Sequence, residues 1–223
     1  MKLIESSYDI LTPISEGGVK ELTFIENVAR TCYKSDANNE GDFEKTKRFV
    51  KNLVEHGHEA MLEHSFLSVR FTCDRGVSHE LVRHRLMSFA QESTRYCNYT
   101  NAKYGGVTFI KPYWYDDAPH NAKLIFEDMC SASENAYDYI VKTGEMPQGG
   151  RSVLPNSLKT EIVISGNYRN WRHLLDLRAA NSTGKAHPDM NLLMQPLLDE
   201  LHDKIPVIFD DIYERMVKNG NLS

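Results

Sequence analysis

Ser65-Phe66-Leu67-Ser68-Val69-Arg70-Phe71-Thr72-Cys73-Asp74 alternates apolar and polar side chains, placing Leu67, Val69, Phe71 and Cys73 on one face. A period of two marks a half-buried strand. Asp74 can then cap a helix, read here over Gly76 to about Leu86, because its carboxylate accepts N–H groups that a helix start leaves unpaired. Upstream, Leu22 to Tyr33 and Phe43 to Glu55 carry helical stripes, and Gly57 follows the second where a helix can stop. Downstream, Gln91 to Tyr99 and Val107 to Ile110 read as extended, and Asn121 to Lys142 as one long helix. Lys159 to Ser165 is a second clear strand, followed by a helix over Trp171 to Arg178 with Asn170 as its cap. Pro188 suits the first turn of the next helix, and Pro196 within it is expected to kink or divide it. Pro206 to Val217 closes the chain as a further helix. Strands and helices mix without regular βαβ alternation, so the expected class is α+β.

With 223 residues, the chain fits one domain or a compact pair and can bury a sizeable core. Its apolar fraction of 41% and charged fraction of 26% are ordinary for a globular protein. A net charge of -5 argues against bulk nucleic-acid binding while allowing a local basic pocket. No apolar stretch approaches the roughly 20 residues of a membrane span, and Met1 to Glu5 lacks a signal-peptide apolar region. A cytoplasmic, membrane-free protein is expected. Cys32, Cys73, Cys97 and Cys130 lie far apart with no C-x-x-C pair, so free buried thiols are expected rather than zinc ligands or disulfides. No G-x-G-x-x-G or phosphate-binding G-x-x-x-x-G-K-[ST] occurs.

Chemistry concentrates in three patches. The densest is Arg83-His84-Arg85-Leu86-Met87-Ser88-Phe89-Ala90-Gln91-Glu92-Ser93-Thr94-Arg95. On a continuing helix, about 100° per residue would point Arg83 and Arg85 roughly 200° apart. Either the helix ends there, or the two look into a site shared between elements or subunits. A solvated helix end with cations at the dipole's negative terminus is the plainer alternative. The second patch is His56-Gly57-His58-Glu59-Ala60-Met61-Leu62-Glu63-His64, which is not the H-E-x-x-H of a zinc site, and no metal is expected. The third is Asn167-Tyr168-Arg169 with the helix Trp171-Arg172-His173-Leu174-Leu175-Asp176-Leu177-Arg178.

Arg-His-Arg, seven residues, then Ser, complete from Arg83 to Ser93, resembles the signature of the flavin-dependent thymidylate synthases. The H-G-H-E-x-x-x-E-H run, the Asn167 to Arg178 segment and Arg151-Ser152-Val153-Leu154-Pro155 resemble further segments of that family, in the same order. Cys32, in Ala29-Arg30-Thr31-Cys32-Tyr33, stands where Ser is common, and Ala60 where many members carry Thr. No Pro-Cys dipeptide occurs, which separates this chain from the thymidylate synthases that use a nucleophilic cysteine.

The resemblance implies a single domain over 1–223, with a central mostly antiparallel sheet flanked by helices, and a homotetramer whose sites are built by several subunits. It places FAD against Cys32, His58, Glu63, Arg83, His84, Arg85, Gln91, Asn167, Arg169 and His173. It places dUMP against Glu80, Arg83, Gln91, Ser93, Thr94, Arg95, Arg151 and Arg178, with Arg178 the catalytic residue at the uracil. NADPH would reduce the flavin, methylenetetrahydrofolate would supply the one-carbon unit, and reduced flavin the hydride, giving dTMP and tetrahydrofolate. Two rival readings stay open: a single-strand nucleic-acid binder using Arg83, Arg85, Arg95, Tyr96 and Tyr99, and a family member that binds flavin or nucleotide without synthase activity.

Overall fold

A computed structural model describes residues 1–32, 34–35 and 42–220. The chain is α+β. Among the described residues, strands β1 (Lys2–Ile4), β2 (Ser7–Ile10), β3 (Phe66–Asp74), β4 (Ser88–Gln91), β5 (Thr108–Ile110) and β6 (Lys159–Asn167) are interspersed with eight α-helices. These are α1 (Val19–Thr31), α2 (Phe43–Glu55), α3 (Arg75–Leu81), α4 (His120–Lys142), α5 (Pro147–Gly150), α6 (Tyr168–Arg178), α7 (Pro188–Lys204) and α8 (Pro206–Gly220). Four strands form one sheet in the order β2-β3-β6-β4. β1 and β5 form a separate pair, which is parallel, with Leu3 opposite Phe109. Among the described residues no helix is long and apolar enough to cross a membrane.

The alternation in β3 holds: Leu67, Val69, Phe71 and Cys73 are fully buried. Asp74 caps α3 by accepting the Val77 N–H at 2.9 Å. α2 keeps the expected bounds, and its end shows why. Gly57 takes a positive φ of 71°, and the N–H groups of Gly57 and His58 bond Val54 O at 3.0 Å and Leu53 O at 2.8 Å. That paired closure satisfies carbonyls which a helix end otherwise leaves open. α1 ends at Thr31; Tyr33, expected within it, lies outside the described residues.

Four expectations change. α3 stops at Leu81 rather than near Leu86, and Arg83, His84 and Arg85 sit in turns, with Arg83 N–H on Glu80 O at 3.2 Å. The segment after Gln91 is not extended: Tyr96 and Cys97 N–H both return to Ser93 O, at 3.1 and 2.9 Å, and the strand is Ser88–Gln91. The cap of α6 is Asn167, whose side-chain oxygen accepts Asn170 N–H at 2.9 Å, because β6 runs two residues beyond Ser165. Of the two outcomes expected at Pro196, division does not occur: α7 runs through it as one helix. Pro196 is on the exposed side, while Met190, Leu193, Met194, Leu197, Leu198 and Leu201 are buried. Burying each such side chain is worth about 1.5–3 kcal/mol, so together they outweigh the ~3 kcal/mol a mid-helix proline costs.

The described chain divides into two compact units, whose segments alternate in sequence. Met1–Tyr8, Arg70–Arg83 and Phe89–Val163 form the first. Its core packs Tyr99, Val107, Phe109, Cys130, Tyr137 and Leu158, with Leu3, Phe126 and Val141 against them. Asp9–Val69, His84–Ser88 and Ile164–Ser223 form the second. Trp171 lies at its centre, fully buried, its indole N–H donating to Leu67 O at 2.9 Å.

Candidate active site

In the second unit the loop His84–Ser88 is fixed to β6 and α6. Met87 is buried and packs on Gly166, where a Cβ would lie only 2.8 Å from the Met87 methyl carbon. A larger residue there would push the Met87 side chain aside. Asn170 Nδ2 donates to Leu86 O at 2.9 Å. These contacts hold His84 beside α6: its ring meets His173 edge-on, centroids 6.1 Å apart, and Arg178 Nε donates to its Nε2 at 3.5 Å. Burial, and then the charges of Arg178 and His173, lower the His84 pKa to about 4. At neutral pH His84 is therefore an uncharged imidazole that accepts from a cation.

A cleft of about 730 Å³ opens in the same unit, lined by Glu59, Glu63, Leu86, Arg169, His173 and Asp211 among others. Charges run across it as a ladder. Arg169 Nη1 donates to Glu63 Oε1 at 2.5 Å, and its Nε lies 3.9 Å from Glu59 Oε2. Arg172 Nε donates to Glu59 Oε1 at 2.9 Å. The rest of the Arg172 guanidinium forks onto Asp211 at 2.7 and 2.9 Å and also donates to Ile208 O. Arg215 pairs with Asp176. Arg172 is 6% exposed. Burial works against its charge, but Asp211 and Glu59 prevail and its pKa is raised. Asp211 is the converse: burial pushes it up, Arg172 pulls harder, and its pKa falls. Arg172, Asp211 and Glu59 were not among the expected site residues. Arg172 falls in phase with buried Tyr168 and Leu175, and a cation on an apolar stripe was the available signal.

This donor set fits a flavin. Arg169 is half exposed and His58 and His173 are exposed, so cationic and imidazole groups can meet a diphosphate and the polar edge of a ring. Asn167 spends its side-chain oxygen on the helix cap, leaving its amide N–H₂ as the end that can face a ligand. Arg85 is exposed, and Cys32 is exposed at the end of α1.

The first unit gathers the expected nucleotide residues in part. Arg151 Nη1 donates to Thr94 Oγ1 at 3.4 Å across 57 residues of sequence. Thr94 is buried, whereas Arg95 and Arg151 are exposed, with the Arg95 guanidinium 5.6 Å from the Tyr96 ring centroid. Ser93 Oγ accepts Arg95 N–H at 3.3 Å. Two arginines and two hydroxyls thus cluster at one turn, a set suited to phosphate. Gln91 uses its amide nitrogen inside the protein, on Ser78 Oγ at 2.9 Å and Thr160 Oγ1 at 3.2 Å. Its amide oxygen is the atom suited to a ligand. Glu80 is half-buried on α3 and Arg83 is exposed just beyond it.

All four cysteines are free, but Cys32 is exposed and Cys97 half-buried, unlike the buried set expected. Cys32 stands in phase with the buried Leu22, Ile25 and Ala29, but it lies just past Thr31, the last residue of α1, and is exposed there. Burial pushes the Cys73 thiol up to about 12 and the Cys130 thiol to about 11, and raises Cys97 as well. Three of the four are therefore held as thiols, the weakly nucleophilic form. Among the described residues no three His, Cys, Asp or Glu side chains form a metal-binding group.

The family described as thymidylate synthase complementing protein matches residues 19–207. The chain is 30% identical over 220 residues to a flavin-dependent thymidylate synthase from Corynebacterium aurimucosum, covering 93% of this chain and 86% of that one. It is also 30% identical to the enzyme of that name from Mycobacterium avium, over 88% and 81% of the two chains. In fold it is similar to a UMP/dUMP methylase, PolB, from Streptomyces cacaoi bound with 5-Br UMP: TM-score 0.74, 16% identity, 96% and 97% of the chains covered. The same methylase bound with 5-Br dUMP gives a TM-score of 0.74 at 18% identity, over 98% and 97%. Signature, fold and relatives agree, and the chain belongs to the thymidylate synthase complementing protein family, that of the flavin-dependent thymidylate synthases.

Proposed function

We propose that this chain converts dUMP to dTMP by reductive methylation, with methylenetetrahydrofolate as one-carbon donor and FAD reduced by NADPH. The observation that carries the reading is the meeting of Arg178 with a neutral His84 across 94 residues of sequence. An imidazole that stays uncharged can orient the guanidinium through its ring nitrogen without adding a second cation. Arg178 then serves as a fixed positive charge beside the uracil ring, favouring its N3-deprotonated, more nucleophilic form. Preorganised charge at a developing anion is among the strongest effects an enzyme can bring to bear. Ring activation of this kind needs no thiolate, in keeping with the raised thiols of Cys73, Cys97 and Cys130.

Arg95 and Arg151, with the Ser93 and Thr94 hydroxyls, hold the nucleotide phosphate, and the Gln91 oxygen, Glu80 and Arg83 meet its sugar and base. His58, Glu63, His84, Arg85, Asn167, Arg169, His173 and Cys32 hold the flavin, and Arg83 and Gln91 serve both ligands. When bound, the flavin supplies the hydride that completes the methyl group. The family resemblance extends the proposal to a homotetramer, which a strictly monomeric active species in sedimentation would overturn. The deciding test is tritium release from dUMP labelled at ring carbon 5, with FAD, NADPH and methylenetetrahydrofolate present. Flavin-dependent release with dTMP formation is expected; a folded, FAD-binding protein without release would reduce the chain to a binder.

A further inference from the structure

From the charge ladder of the second unit we infer that Glu59 is a positioning residue for Arg169, anchored from behind by the buried Arg172, which is itself paired with Asp211. The inference rests on the reading that Arg169 contacts the flavin. Arg169 projects into the cleft with half its side chain exposed. A long side chain in that setting samples many rotamers, and each must be given up on binding. Two carboxylates restrict it: Glu63 takes Nη1, and Glu59 faces Nε. They differ in how they are held. Glu63 stands with 46% of its side chain in solvent, whereas Glu59 is 26% exposed and bonded to a guanidinium that is itself almost fully buried. Arg172 is fixed in turn by its fork onto Asp211 and by Ile208 O. Rigidity therefore passes from α8 through Arg172 to Glu59, and from Glu59 to the arginine at the cleft.

Two roles for Glu59 make opposite predictions. As a plain negative charge near an anionic cofactor, it would weaken FAD binding, and neutralising it would tighten binding. As a positioning residue it preorganises Arg169, and neutralising it would weaken binding. Glu59→Gln keeps the size of the side chain and an oxygen for Arg172 Nε, but removes the charge that faces Arg169. Glu59→Asp keeps the charge but is one methylene too short to bridge both arginines.

The experiment is titration of the full chain and its variants with FAD, followed by quenching of flavin fluorescence, with thermal unfolding of each apo variant alongside. Glu59→Gln and Glu59→Asp are each expected to raise the FAD Kd about fivefold, the size of a coupling between contacting groups, while the weakened pair with Arg172 lowers the apo melting temperature by about 2–4 °C at most, equally with and without Arg169. In an Arg169→Ala background Glu59→Gln is expected to do nothing further. Tighter binding by Glu59→Gln, or an equal loss with and without Arg169, overturns the inference while leaving Arg169 as a flavin contact. A Kd that Arg169→Ala leaves unchanged removes the reading of Arg169 itself, and the inference with it. A loss that tracks melting temperature across the variants assigns Glu59 a structural role and refutes the positioning one.

Discussion

Replacing Arg172 with Met tests how the second unit holds a charge in its interior. Methionine approximates the length of the arginine stem, so little of the effect should come from a cavity. What is lost is a guanidinium 6% exposed, with bonds to Glu59 at 2.9 Å and to Asp211 at 2.7 and 2.9 Å, and a further one to Ile208 O. Removing one member of a buried pair costs about 3–5 kcal/mol, mostly because the other charge is stranded. Asp211 keeps 44% and Glu59 26% of their side chains in solvent, so water recovers part of that. The low end, about 3 kcal/mol, is expected. For a chain of this size, that lowers Tm by roughly 6–12 °C. Urea unfolding at pH 7, with an unchanged m-value, gives the free energy directly. Asp211 then keeps the more distant Arg215, 3.8 Å away, so adding Asp211→Asn to the Met variant should return about 0.5–1 kcal/mol. A loss below ~1 kcal/mol for Arg172→Met, or no recovery in the double variant, would refute the reasoning.

Arg178→Ala should cut turnover by about 10²–10³, the cost of losing one group that stabilises developing charge, while the FAD Kd moves far less; equal turnover in single-turnover assays ends the assignment. Arg151→Ala should raise KM for dUMP by tenfold or so, the worth of a charge-assisted bond, with kcat nearly unchanged in steady-state kinetics. His84 has a folded pKa lowered from 6.5 to about 4, so the unfolded chain binds the extra proton between those values. Its contribution to stability is present above pH 6.5 and is lost as pH falls towards 4. The full shift corresponds to roughly 3 kcal/mol, which partial exposure reduces to about 1–2 kcal/mol. An NMR titration placing His84 near 6.5 in the folded protein would contradict this.

What the sequence reveals here follows how local the cause is. β3 was legible because its buried set, Leu67, Val69, Phe71 and Cys73, recurs every second residue. α2 was legible because its stripe is closed by a positive-φ glycine at Gly57. The end of α3 was not, since Val82 and Arg83 are acceptable helix residues, and what holds the following turns includes the seating of Met87 on Gly166. Asn167 and Asn170 are equally good caps in isolation. β6 extends to Asn167, burying Ile164 and Gly166 on the way, and so chooses the first. At the site, Arg169, His173 and Arg178 could be named from the family pattern, and Arg178 and His173 do meet His84. Arg172 could not, because its partner Asp211 is 39 residues further on. β1 has three residues and shows no period to read, whereas β5 falls within the extended segment read over Val107 to Ile110.

The strand order β2-β3-β6-β4 also governs the chain's birth. β6 lies between β3 and β4, although some 68 residues separate the end of β4 from its start. Until β6 emerges from the ribosome, β3 and β4 each have an edge with no neighbour, and β3 is a strand of nine residues with one wholly apolar face. An unpaired apolar edge is a template for pairing with another molecule, and closing so long a loop is slow. Yield on refolding should therefore fall as protein concentration rises, and chain truncations that stop short of Lys159 should aggregate, since they lack the strand that fills the gap in the sheet.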